Sequence, residues 1–515
     1  MKNLLHSLIL ALAISIPLDT YCQTWIWGDS CRIDFVNGTA VASKGIVSGE
    51  TSSILQLPNT FFYASAKEKD LNMVNSTYAG RVFKGNGIKL NLTTGLKVSG
   101  FNGQTLFVIP KPGDSTIAYV FQSLFNQGPQ QFALYTSIIN LYGNGGIGSM
   151  GQINTPLLQG DLSVAMNVIK HGNGRDWWIY IKECNANSQT PSNLWYLFLL
   201  DPTGIHGPYT QNIGQFTYSN IDQLIFDPQG TKAIYLTVGG LFDLFSVDRC
   251  TGLFYNHQMI VQELNPSPPA GPPISFTRMG EFSSNGQYFY ASAGYHIGPS
   301  TSYILQFDML DTNIRMSRKI IHTFSSQING VYYYPAELKR APDNKIYLAG
   351  FSHYFPFSDT CCFDTTTMYL GVINAPDSLG LACNFTPFSF YLAGSRTHRC
   401  LPDMPNYNIG VALGSGCDTL VATGMGYEFI EEKNRIQCWP NPASSALNIR
   451  WGGVEKVKQI SLFSNTGEMV LALPWQSEFD VMEIPIRFLT SGLYVVELQL
   501  TSGEKFRKKL MVMNE

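Results

Sequence analysis

The sequence predicts an all-β protein: a seven-bladed β-propeller followed by a small immunoglobulin-like β-sandwich. Three observations carry that expectation. Charged residues make up only 14% of the 515, while aromatics reach 13% and Gly and Pro number 47 and 27, a balance that suits many short strands and turns. A turn-plus-strand segment recurs through the body of the chain at a nearly fixed spacing. The end of the chain, Cys438 to Glu515, breaks into short strand candidates separated by Gly-containing turns.

The first 22 residues read as a signal peptide. Lys2 supplies a positive start and Leu4 to Ile16 is a short apolar run ended by Pro17, too short to span a bilayer comfortably. Cleavage is expected after Cys22, which leaves Gln23 as the first mature residue. No other stretch is apolar and long enough to cross a membrane, so no transmembrane segment is expected in the mature chain.

Residues 23–417 carry the repeat. Four segments share a turn centred on Gly or Asn followed by a strand of aromatic and β-branched residues: Gly172–Tyr180, Pro228–Leu236, Ser284–Ala291 and Pro342–Ala349. Gly174 to Gly230 is 56 residues, Gly230 to Gly286 is 56, and Gly286 to Asn344 is 58. A fifth copy is Lys111–Asp114 before Ala118–Phe121, a sixth falls at Pro402-Asp403, and a degenerate seventh at Leu57–Asn59 before Phe61–Tyr63. Gly and Asn permit the positive φ such turns require. Units of three or four strands cannot bury both faces alone, and stacking them about an axis does so. The alternative, a β-solenoid, has shorter coils. The strand Trp25-Ile26-Trp27 is expected to pair with the last blade and close the ring.

Composition excludes some functions. A net charge of −3 gives no footprint for nucleic acid. Ten Cys, nine after signal removal, with no C-x-x-C pair point to disulfides in an oxidising compartment, and Cys361, Cys362, Cys383, Cys400 and Cys417 are expected to bridge among themselves. No nucleophile elbow occurs, the eight His are scattered, and Asp308 with Asp311 supply too few oxygens for calcium. No catalytic residue, cofactor or metal is therefore assigned. His171, Arg175 and Asp176 beside Trp177 and Trp178 read as turn and strand residues. The segment Phe351–Phe357 is an aromatic insertion, and His353, Tyr354, Phe355 and Phe357 are the candidate ligand contacts. Asn265–Pro273 reads as a stiff spacer.

The tail carries a resemblance. Trp439-Pro440-Asn441-Pro442-Ala443, then Asn465-Thr466-Gly467, then Leu489-Thr490-Ser491-Gly492-Leu493-Tyr494-Val495-Val496, then the basic run Lys505 to Lys509 stand in an order that resembles the type A C-terminal sorting domain of the type IX (Por) secretion system. Residues 438–515 would form that domain and 418–437 the linker. The resemblance implies that Pro440, Asn441, Pro442, Gly467, Gly492, Leu493, Tyr494, Lys508 and Lys509 carry the sorting signal, with the secretion machinery as partner and the surface or the medium as destination. Trp439 departs from the commoner Tyr or Phe, and Ile484-Pro485-Ile486 from a more polar strand start.

The body carries a second resemblance. Trp25-Ile26-Trp27-Gly28, Val108–Gly113, Val168–Trp178, Ala341–Ala349 and Leu370–Asp377 leading to Cys383-Asn384-Phe385 together resemble secreted WD40-like propeller proteins that bear such tails. That likeness implies a fold and a location but no chemistry. The expected function is a non-catalytic binding module for a glycan or a protein. The alternatives are a hydrolase or lyase at the propeller funnel, or a structural role in adhesion or motility.

Overall fold

The structure, a computed structural model, describes residues 23–28, 30–45, 52–57, 60–65, 80–90, 95–99, 104–124, 131–185, 190–219, 222–261, 277–294, 301–325, 327–328, 331–352, 366–397, 400–418, 436–439, 443–451, 456–464, 468–475, 481–501 and 505–513. The signal-peptide segment, His353, Tyr354, Phe355, Phe357, Pro440, Asn441, Pro442, Gly467, Cys361 and Cys362 lie outside them. Two compact units are present, Met1–Cys417 and Asp418–Glu515.

In the first unit seven antiparallel sheets follow one another in chain order among the described residues. Blade 1 is Thr24–Trp27, Cys31–Val36 and Thr39–Lys44, and blade 2 is Ser52–Leu57, Thr60–Ser65 and Arg81–Lys84. Blade 3 opens with Leu106–Pro110, blade 4 with Asn167–Lys170, blade 5 with Asp222–Phe226, blade 6 with Thr277–Phe282, and the long strand of blade 7 is Val331–Arg340. Blades 4, 5 and 6 have four strands each, in simple meander order.

The repeated turns are the hairpins between the first two strands of each blade. In blade 4 the His171 N–H donates to the Asp176 carbonyl and the Gly174 N–H returns to the His171 carbonyl, and the same pair of bonds recurs at Asp227/Gly230, Ser283/Gly286 and Ala341/Asn344. The backbone at Gly174, Gly230, Gly286 and Asn344 has φ of 73°, 68°, 74° and 60°. Asn tolerates that left-handed conformation better than other non-Gly residues, which is why it replaces Gly in blade 7. In blades 4, 5 and 6 the second strand then enters between two neighbouring blades, and both of its faces are buried. Trp177–Lys182 is buried at all six positions, hence its nearly unbroken apolar run.

Shared cores close these sheets into a ring. Ile26 of blade 1 packs with Ile54 and Tyr63 of blade 2. Phe62, Phe107 and Trp177 join blades 2, 3 and 4, and Tyr180, Trp195 and Tyr235 join blades 4 and 5. Phe242 and Phe289 join blades 5 and 6, and Tyr290 and Leu348 join blades 6 and 7. Trp25, Trp27, Tyr347 and Leu370 complete the circle between blades 7 and 1. The unit is a seven-bladed β-propeller.

Three expectations are corrected. Thr24–Trp27 does not pair with the last blade. It pairs with Cys31–Val36 in a sheet of its own, and closure is by side-chain packing, with the Trp25 ring 5.8 Å from Tyr347. Its hairpin, with Gly28 at φ 58°, is the turn of blade 1. Pro402-Asp403 is not a blade turn: Asp403 is buried and bridges in parallel to Ser53 of blade 2. Cys417 bridges to Cys250, outside the Cys361–Cys417 region, while Cys383 lies in the core between blades 6 and 7.

The second unit is a sandwich of two sheets. One holds Ile436–Trp439, Ala446–Trp451 and Val481–Pro485; the other holds Met469–Pro474, Val457–Ser464, Gly492–Leu500 and Lys505–Val512. Leu447, Ile449 and Ile484 of the first meet Ile460, Leu462, Val496, Leu498 and Leu510 of the second in one core. Gly492, Leu493 and Tyr494 open the strand Gly492–Leu500, and Lys508 and Lys509 lie on the strand paired with it. Tyr494 is buried, with its hydroxyl donating to the Thr490 carbonyl at 2.9 Å.

A candidate ligand site at the mouth of the central channel

First strands of neighbouring blades lie beside one another, as Asp222–Phe226 does against Thr277–Phe282 and Thr277–Phe282 against Val331–Arg340, so they line the axis. On that side a first strand has no ladder partner, and its backbone groups need others. Side chains facing the axis supply them. Gln104 Nε2 donates to the Leu224 carbonyl at 2.8 Å while its Oε1 accepts the Leu224 N–H at 2.9 Å. Asn167 Nδ2 donates to the same carbonyl at 2.6 Å, and Gln223 Oε1 accepts the Gly280 N–H at 2.9 Å. Glu281 takes the Phe282 N–H at 2.9 Å and the Arg340 N–H of the next blade at 3.1 Å.

A strap, residues 401–417, runs over the turn end of the ring. The Asp403 N–H donates to the Ser52 carbonyl at 2.7 Å, and the Tyr407 hydroxyl lies 3.0 and 2.5 Å from the carbonyls of Ile54 and Val108. Asn406 donates to the Pro228 carbonyl at 3.2 Å, and Arg249 to the Gly410 carbonyl at 2.5 Å. The Ala412 N–H donates to the Gly172 carbonyl at 2.7 Å, and the Cys250–Cys417 disulfide fixes the end of the strap to blade 5. Leu401, where the strap begins, donates its N–H to Glu337 of blade 7 at 2.6 Å.

Between the strap and blades 4 to 7 is a cavity of about 330 Å³. Asn167, Gln223, Asp227, Glu281, Lys339 and Arg340 line it from the blades, Met404 and Asn408 from the strap, and Trp25 and Tyr407 add aromatic surface. Polar and apolar groups share the lining, and the commitments of the polar ones differ. Asp227 accepts the Thr231 and Lys232 N–H groups at 2.6 and 2.8 Å on one oxygen and the Thr231 hydroxyl on the other. Glu281 is engaged by two backbone donors. The Lys339 ammonium and the Arg340 guanidinium make no hydrogen bond or ion pair within 4 Å among the described residues.

Behind the lining, Glu337 and Asp403 are each only 2% exposed. Burial is the main cause that raises both carboxyls, Glu337 to about 7 and Asp403 well above its usual range. Lys339 attracts each and partly offsets the burial. For Lys339 itself, burial opposes the charge, and Glu337, Asp403 and Glu281 more than compensate, so it holds its proton above the ordinary lysine range. Lys182, by contrast, has its ammonium satisfied by the Ser192 carbonyl at 2.7 Å and the Thr217 hydroxyl at 3.0 Å, which makes it structural.

The residues singled out from the sequence fall elsewhere. Arg175 is paired with Asp176 at 2.7 Å, Asn173 donates to the same carboxylate, and the Trp178 indole donates to the Arg249 carbonyl at 2.9 Å: they build a turn. Phe351, which opens the aromatic insertion, is buried 5.2 Å from the Tyr334 ring. Sequence reasoning missed the channel residues, although one signal was available. Asn167, Gln223, Glu281 and Lys339 recur with nearly the period of the turns, one on each of the axis-lining strands of blades 4 to 7.

Residues 437–513 match the secretion system C-terminal sorting domain, and this marks the protein as exported by type IX secretion. Among curated proteins nothing matches. Among solved structures, a proposed 6-phosphogluconolactonase from Bacteroides fragilis is 13% identical, with 75% of this chain and 98% of that chain covered and a TM-score of 0.45. The periplasmic gluconolactonase PpgL of Pseudomonas aeruginosa is 11% identical, with 74% and 98% covered at 0.41. The Cps50 (Swd1) propeller domain of Myceliophthora thermophila is 8% identical, with 80% and 97% covered at 0.30. These likenesses are distant and say nothing of chemistry.

Proposed function

We propose that the protein is an exported, non-catalytic binding module whose propeller takes a small polar ligand, such as a sugar unit of a glycan, at the channel mouth. The observation that carries this reading is the 330 Å³ cavity, lined by amides, charged groups and the aromatic residues Trp25, Phe226 and Tyr407, and partly covered by the strap. Hydroxylated ligands suit such a lining, because amides both donate and accept. Asp227 and Glu281, the carboxylates that line it, are held by backbone donors, which favours recognition over acid–base chemistry. On the same reading the first 22 residues are removed during export and the mature chain acts at the cell surface or in the medium. Between the channel and the loop bearing His353, Tyr354, Phe355 and Phe357, we assign binding to the channel.

The test is a glycan array probed with the mature chain and with Asn408→Trp, with turnover followed in the same wells. Asn408 is exposed on the strap at the cavity rim, so the large ring fills the mouth without entering a core. Saturable binding that N408W abolishes supports the reading. Binding that N408W leaves intact moves the site elsewhere, and turnover replaces the module with a funnel enzyme.

A further inference from the structure

Resting on the channel reading above, we infer that the site selects an anionic, hydroxylated ligand, of which a uronic acid is the simplest, with Arg340 as its principal anchor. The lining carries two carboxylates and two cations, so composition alone gives no preference. Commitment breaks the tie. Glu281 spends one oxygen on the Phe282 N–H and the other on the Arg340 N–H, and Asp227 holds three donors of its own hairpin. Their negative charge is already stabilised by the fold. The Arg340 guanidinium has no partner among the described residues, and five N–H donors in a half-buried position need acceptors.

Lys339 is the second cation, and its charge is partly answered from behind the lining by Glu337. That leaves Arg340 to form the directional contact, because its planar fork matches a carboxylate with two parallel hydrogen bonds. The amides of Asn167 and Gln223 are already turned to backbone groups of Leu224 and Gly280, with donor and acceptor capacity to spare for ligand hydroxyls. A neutral sugar in this cavity would leave the guanidinium unanswered.

Matched probes test this: a glucuronate disaccharide, its glucose counterpart and a 6-O-sulfated glucose disaccharide, titrated calorimetrically against the mature chain, N408W, Arg340→Gln and Arg340→Lys. The glucuronate probe is expected to bind at least tenfold more tightly than the glucose probe, with the preference lost in R340Q and partly restored in R340K. Sulfate in place of carboxylate as the favoured probe, with the same R340Q loss, also supports the anion and names its source. Equal binding of charged and neutral probes, abolished by N408W, overturns the anion inference and leaves the channel reading standing. Binding of any probe that N408W does not affect overturns both. Circular dichroism of R340Q shows whether its loss of binding is a loss of fold.

Discussion

Replacing Glu337 by Gln should make the propeller more stable at pH 8 than the natural protein, and less distinguishable from it at pH 4. The carboxyl is buried, accepts the Leu401 N–H at 2.6 Å, and faces Lys339, Glu281 and Asp403, with Arg340 next along the strand. Its pKa is pushed up from 4.5 to about 7, first by burial. A folded-state pKa above the unfolded one means that the folded protein binds more protons between these values, so stability falls as pH rises through that window. Each unit is worth about 1.36 kcal/mol, which gives roughly 3 kcal/mol across the window. Gln keeps an acceptor for the Leu401 N–H and cannot ionise, so E337Q escapes this loss. Lowered repulsion on Asp403 acts in the same direction. Urea unfolding of both proteins, followed by tryptophan fluorescence at pH 4, 6 and 8, measures the gap between them. A gap that widens toward roughly 3 kcal/mol in favour of E337Q is the expected result. One that stays constant to within about 0.5 kcal/mol, or that favours the natural protein at pH 8, refutes the account.

Two further perturbations probe the ring and its strap. Replacing Cys250 and Cys417 by Ser opens a loop closed over a separation of 167 residues. Chain entropy predicts a loss of about 5 kcal/mol, read as a lower melting temperature that reductant reproduces in the natural protein. Trp25→Ala removes a fully buried ring that sits 5.1 Å from Phe35 and 5.8 Å from Tyr347 at the junction of blades 1 and 7. A cost of about 3–5 kcal/mol is expected, and a urea midpoint that does not move would show that the ring is held shut elsewhere.

The blade turns were legible because one backbone demand, a left-handed residue after a tight reversal, selects the same residue types each time. Gly174, Gly230, Gly286 and Asn344 meet it and announce the period. Blade 1 escaped notice because its second strand alternates between buried and half-buried positions, unlike the doubly buried strands of blades 4 and 6. Pro402-Asp403 misled for the converse reason: turn-forming letters were present, but the strap buries Asp403 against blade 2. Crowding of cysteines in sequence likewise proved no guide, since Cys417 is carried across the ring to Cys250 before it finds a partner. The export tail was legible from its ordered motifs alone.

The channel site was illegible for a deeper reason, which also tells how such a site should be read. A ring of blades exposes the inner edge of every first strand, and the backbone groups on that edge must be satisfied before anything else can be built there. This chain does so with Gln104, Asn167, Gln223, Glu281 and Glu337, each serving the main chain of another blade or of the strap. A polar residue facing the axis is therefore, first of all, a structural device. Function has to be sought in what remains after that duty is subtracted. Here the remainder is cationic, a pair of adjacent residues on one strand, and only the folded ring reveals that their neighbours are already engaged. No spacing rule could have separated Arg340 from Glu281, because the difference between them lies in partners and not in residue type.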